Sequence, residues 1–130
     1  MNKPTPILVL VTLQRACARL IRKGADMAMS KGCPLLVLHI ASKVQKSAGE
    51  PGIDAQTLDY LYALSSEAGA EMCVLTSDVP VTAIANYAQE NGVKQVVLGD
   101  GERACGIAET LSRLLPGVQV LIVREVDLTA

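Results

Sequence analysis

The chain has 130 residues, half of them hydrophobic with mean hydropathy +0.33, enough for one domain with a sizeable core. Twelve basic residues against 13 acidic ones leave a net charge of −1, which excludes the basic face that duplex nucleic acid requires, and 2% aromatics without Trp or Phe exclude a base-stacking surface for single strands. The longest apolar runs, Ile7 to Val11 and Leu35 to Leu38, are too short to span a membrane, and no signal peptide precedes them, so a cytoplasmic location is expected.

Strand and helix patterns alternate along the chain. Ile7-Leu8-Val9-Leu10-Val11 is a continuous apolar run after Pro6, as in a strand covered on both faces. Cys17, Leu20, Ile21, Gly24, Ala25 and Ala28 follow at helical spacing, opposite Arg15, Arg19, Arg22, Lys23 and Asp26. Gly32 ends that helix and Pro34 prevents its resumption. Leu35 to Ile40 is the second strand, and the polar stretch from Ala41 to Gly52 reads as one long loop. A second helix presents Leu58, Leu61, Tyr62, Ser65 and Ala68 on one side and stops at Gly69, before a third strand at Met72-Cys73-Val74-Leu75. Tyr60 and Tyr62 read as half-buried helix surface. Asp78 is the predicted N-cap of a third helix, with Pro80 in its first turn and Val81, Ile84, Ala85 and Ala88 as its buried stripe. Asn91-Gly92 stops it, and Gln95 to Leu98 is strand four. Ala104, Ile107, Ala108, Leu111, Leu114 and Leu115 mark the last helix, broken by Pro116-Gly117, and Val118 to Val123 is strand five.

Five strands and four helices in strict alternation predict an α/β fold: a single domain over residues 1–130, with a five-stranded parallel sheet of order 3-2-1-4-5, helices on both faces and right-handed crossovers. In such a sheet a ligand sits beyond the carboxyl ends of the strands where the order reverses, here between strands one and four. The loops at that point are Thr12 to Ala16 and Gly99 to Gly106. Gly99, Gly101 and Gly106 can offer bare backbone N–H groups at the positive end of a helix dipole, which suits a phosphate, or can serve a sharp turn alone. The expected ligand set is Gly99, Asp100, Gly101, Arg103 and Gly106, with Thr12, Gln14 and Arg15 facing them and His39 at the end of strand two. Arg15 and Arg103 are the cations available to an anion there.

Other chemistries with this layout are missing their residues. Thr12-Leu13-Gln14-Arg15 lacks the carboxylates of a phosphorylation receiver and the hydroxyl-rich loop of a flavodoxin. Lys23, not Arg, stands six residues after Cys17, against a cysteine phosphatase, and there is no GxxxxGK[ST] phosphate loop. His39 is the single histidine and no CxxC pair occurs, so no metal site is expected and His39 reads as structural or solvent-facing. Cys17, Cys33, Cys73 and Cys105 read as reduced, mostly buried thiols, with a regulatory Cys17–Cys105 disulfide the less favoured reading.

The arrangement resembles the universal stress protein family over about residues 5 to 124. The resemblance is carried by the first strand, by Cys33-Pro34-Leu35-Leu36-Val37-Leu38-His39-Ile40, by the run from Ile84 through Asn91-Gly92 to Leu98-Gly99, and by Val118-Gln119-Val120-Leu121-Ile122-Val123. Ala18-Arg19-Leu20-Ile21-Arg22 is similar to the stress-protein-like domain of osmosensitive potassium-channel sensor kinases. ATP-binding members of the family carry a glycine, two residues, a glycine, nine residues, then a glycine followed by Ser or Thr. Here Gly99 and Gly106 match the first and third glycines, Glu102 stands at the second, Ile107 replaces the hydroxyl, and six residues replace the usual twelve. Those members also have an acidic residue after strand one, absent near Thr12. Some sensor-kinase relatives bind cyclic di-AMP, but Thr12-Leu13-Gln14 and Leu35-Leu36-Val37-Leu38-His39 lack the matching residue types.

The resemblance implies a non-catalytic regulatory or sensory domain that works by binding a ligand or a protein partner, and not ATP, because the phosphate loop is shortened. The alternative is a stress protein that binds AMP or ATP through Gly99–Gly106; an enzyme of the wider nucleotide-binding α/β class ranks third. Cofactors are limited to a nucleotide or small anion. Val118, Val120 and Ile122 share one face of the last strand, a sheet edge at which family dimers often pair, so a homodimer is expected there.

Overall fold

The computed structural model describes residues 5–11, 17–41, 55–99 and 104–124. The elements follow the predicted alternation: β1 (Ile7–Leu10), α1 (Cys17–Lys31), β2 (Leu35–Ala41), α2 (Ala55–Glu67), β3 (Glu71–Thr76), α3 (Pro80–Glu90), β4 (Gln95–Gly99), α4 (Ala104–Leu114) and β5 (Gln119–Val123). All four strand pairings are parallel, in the order β3-β2-β1-β4-β5. β1 lies at the centre, with Leu10 beside Leu38 on one flank and Leu98 on the other.

Alternation along the strands divides the core in two. Ile7, Val9, Leu35, Val37, Met72 and Val97 pack with Ala18, Leu20, Ile21 and Ala28 of α1 and Leu61 of α2. Leu8, Leu38, Val96 and Leu98 pack on the other face with Ile84, Ala85 and Ala88 of α3 and Ala104, Leu111 and Leu115 at α4. A continuous apolar run such as Ile7-Leu8-Val9 is what a strand between two helix layers requires. Each fully buried Leu, Ile or Val contributes roughly 1.5–3 kcal/mol relative to exposure.

Helix ends follow from local chemistry. At the end of α3 the Gly92 N–H donates to the Gln89 carbonyl (3.3 Å) and the Val93 N–H to Ala88 (2.9 Å). This closure needs a left-handed residue after the helix, and Gly92 supplies it with φ +67. The same pair of bonds closes α1, from Gly32 to Met29 and Cys33 to Ala28, and α2, from Gly69 to Ser66 and Ala70 to Ser65.

Several expectations are corrected. The N-cap of α3 is Val79, not Asp78: Pro80 occupies the first helical position, so the cap falls one residue before it. The Ser77 hydroxyl, not Asp78, accepts the Val79 N–H, at 3.0 Å. Tyr62 and Leu114 face solvent, 56% and 43% exposed, because the buried seams run through Leu61 and Ser65 and through Leu111 and Leu115. Ala18 is buried on α1 while Cys17 and Ala25 are half-buried. None of the four cysteines is fully buried: Cys17, Cys33 and Cys73 are half-buried and Cys105 is exposed. β1 ends at Leu10, although Val11 stays buried and its N–H donates to the Leu38 carbonyl at 2.9 Å. The predicted loop after Ala41 lies outside the described residues from 42 to 54.

Candidate functional site

The switch point lies where β1 and β4 part toward α1 and α4. Of the predicted ligand residues, Thr12, Gln14, Arg15, Asp100, Gly101 and Arg103 lie outside the described residues. His39, Gly99 and Gly106 lie within them.

His39 and Gly99 share a row of the sheet. Leu10, the last residue of β1, pairs with Leu38 and with Leu98, so His39 and Gly99 each stand one residue beyond its end, Gly99 closing β4 while β2 runs on past His39 to Ala41. His39 Nδ1 lies 3.0 Å from the Val11 carbonyl oxygen. A carbonyl only accepts, so the ring carries a proton on Nδ1. This bond fixes the backbone where it leaves β1, in keeping with a structural role for His39.

Gly99 closes β4 and pairs with Val123, so it belongs to the strand rather than the loop. It does not adopt a positive φ, which corrects the turn-only explanation for this glycine. A Cβ there would meet only Leu20 Cδ2, at 3.6 Å, an ordinary contact.

Gly106 is also not a loop residue. The described helix α4 runs Ala104–Leu114, so Gly106 is its third residue. Its own carbonyl accepts the Thr110 hydroxyl at 2.9 Å. A Cβ on Gly106 would meet nothing within 4 Å among the described residues. First-turn N–H groups of a helix have no acceptor within it, and the dipole makes that end positive. Among the described residues, nothing packs where a side chain at this exposed helical position would stand.

Perturbed ionisations lie elsewhere. Burial pushes the Cys73 thiol up, with the Glu71 carboxylate adding to the effect. Burial also raises the Tyr87 phenol, helped by Cys73 and Glu71. Cys73 of β3 and Tyr87 of α3 are partly buried against the same core cluster, so both shifts follow from packing at the β3 edge. Among the described residues no group of three His, Cys, Asp or Glu could hold a metal ion, and no helix is long and apolar enough to cross a membrane.

Comparison with known proteins agrees with this architecture. Sensor protein KdpD from two strains of Mycobacterium tuberculosis is 26% identical over 98 residues, which is 75% of this chain and 11% of the relative. The chain thus spans about a tenth of the length of the curated relatives it matches. Among solved structures, a universal stress protein in complex with cAMP superposes with a TM-score of 0.67 at 14% identity, covering 94% of this chain and 98% of the other. The universal stress protein from Archaeoglobus fulgidus in complex with dAMP gives 0.65 at 24% identity, covering 93% and 98%. An Arabidopsis thaliana member with AMP bound gives 0.62 at 17% identity, covering 93% and 92%. These likenesses establish the fold. The model of the universal stress protein family, in turn, matches residues 4–117, from before β1 through the end of α4. With that match extending over most of a chain whose sheet order and switch point agree with it, the protein belongs to the universal stress protein family.

Proposed function

We propose that the chain is a non-catalytic regulatory domain that responds to a nucleoside monophosphate or similar small anion at the carboxyl ends of β1 and β4, and not to ATP. One observation supports this reading: β4 ends at Gly99 and α4 begins at Ala104, so only four residues of sequence separate them. A connection that short, backed by the first turn of a helix, can surround one phosphate group. It is too short to wrap three, and Glu102 places a negative charge in it. The ligands of the structural relatives, cAMP, dAMP and AMP, each carry a single phosphate. Four cysteines spread along the sequence without a CxxC pair favour a cytoplasmic setting. The match to a short segment of sensor protein KdpD favours signalling through a protein partner.

Calorimetric titration with inorganic phosphate, AMP, cAMP and magnesium-ATP tests the site. AMP or cAMP is expected to bind at least about tenfold more tightly than ATP, a difference of about 1.4 kcal/mol. Tight magnesium-dependent ATP binding would overturn this reading, and no binding by any of the four would leave partner docking alone.

The proposed assembly is a homodimer through β5. This strand is a sheet edge, and Val118, Val120 and Ile122 stay only half-buried against the chain's own core. Apolar edges are normally covered or paired. Sedimentation at tens of micromolar is expected to show a dimer that Val120→Lys dissociates. A parent protein that remains monomeric at that concentration would refute the dimer.

A further inference from the structure

A cleft of about 370 Å³ lies at the opposite end of the sheet, formed by the amino ends of β1, β4 and β5 and the carboxyl end of α1. Its polar lining is Thr5, Lys31, Cys33, Lys94, Gln95 and Gln119. It shares no residue with the nucleotide site proposed above and stands independently of it.

Gln95 sets the chemistry of the cleft. Its position beside Ile7 and Gln119 in the sheet leaves it 9% exposed. A carboxamide is costly to bury without hydrogen bonds. Lys31 Nζ donates to Gln95 Oε1 at 2.8 Å, linking α1 to β4 across 64 residues of sequence. An ammonium can only donate, so the amide must turn its oxygen to Lys31. The amide nitrogen then has no partner among the described residues. Among the described residues no side-chain nitrogen or oxygen sealed from solvent lacks a partner, so this NH2 group reaches open space, and the open space Gln95 borders is the cleft.

The charge is one-sided. Lys31 and Lys94 both line the cleft, no carboxylate does, and neither lysine forms an ion pair among the described residues. The dipole at the end of α1 accounts for Lys31 in the last turn, but not for Lys94 or for a buried amide with a spare donor.

We propose that this cleft is a second ligand site, which binds a small dianion, a phosphate monoester or a dicarboxylate, through Lys31 and Lys94, with the Gln95 amide nitrogen and the Thr5 hydroxyl as neutral donors.

Residue-resolved amide NMR on the full chain tests this, with inorganic phosphate and succinate titrated separately. Saturable shifts are expected at the Gln95 side-chain NH2 and at the backbone of Lys94 and Gln119, and the probe that saturates identifies the anion class. Lys94→Gln, at an exposed position that the fold does not need, should weaken binding by about tenfold through loss of one charge-assisted contact. Gln95→Glu should abolish it by placing a carboxylate opposite Lys31. The proposal fails if neither probe gives saturable shifts, if the shifts are confined to Gly106 and its neighbours at the other end of the sheet, or if Lys94→Gln binds as well as the parent.

Discussion

Gly24→Ala is expected to destabilise the protein by about 1–2 kcal/mol, although alanine is the better helix former. In an unobstructed helix the change would gain about 0.5–1 kcal/mol. Gly24, however, is where α1 crosses the central strand. A Cβ there would overlap Val9 Cγ2 and stand 3.2 Å from Leu35 Cδ1. Val9 is 0% and Leu35 4% exposed, so neither can swing into solvent. Overpacking a core by a methyl group costs roughly 1–3 kcal/mol, which exceeds the propensity gain. Urea unfolding should show a lower midpoint with an unchanged slope. The double variant Gly24→Ala, Val9→Ala should lose less than the sum of its parts, with a coupling of about 1 kcal/mol, because removing the Val9 methyls makes room for the new Cβ. Additive losses, or a Gly24→Ala protein as stable as the parent, would show that α1 does not need this close approach.

The same crossing shows why the fold was legible. Ile7-Leu8-Val9 and Val96-Val97-Leu98 are apolar at every position, and only a strand with helices on both sides can bury all of them. Their alternation with helical spacing leaves few topologies open, and the right-handed crossover selects among those. A local preference gives way where a neighbouring residue overrides it. Asp78 is a good capping residue in isolation, but Pro80 at the first helical position moves the cap to Val79. Tyr62 lies four residues after Leu58, yet the seam through Leu61 and Ser65 turns it outward.

The candidate site was less legible, and Gly106 shows why. Three glycines close together look like a loop, but Ala104 already begins the apolar spacing that continues to Ile107, Ala108 and Leu111. Helical periodicity, given precedence over glycine content, places Gly106 inside α4, where it lies. The bond between Lys31 and Gln95 had no signal in the sequence at all. Gln95 reads as a polar strand start, and its partner is fixed only once α1 and β4 are neighbours on the sheet.

Gly106→Asp is expected to move stability and ligand affinity in opposite directions. The position is exposed, third in α4, and open around its Cβ direction. A carboxylate in the first turn complements the helix dipole, and any side chain restrains the helix better than glycine, so stability should rise by about 0.5–1 kcal/mol. The same carboxylate would stand where the proposed monophosphate approaches the backbone. AMP affinity should then fall by about tenfold to a hundredfold, or about 1.4–2.8 kcal/mol. Gly106→Ala separates bulk from charge: it should be similarly stabilised and lose less affinity. Paired urea unfolding and AMP calorimetry on the parent and both variants read the two effects side by side. If Gly106→Asp keeps the parent's AMP affinity, the phosphate does not sit on the first turn of α4. A stabilised variant that no longer binds AMP would instead explain why a helix-weakening glycine occupies a position that packing among the described residues does not require.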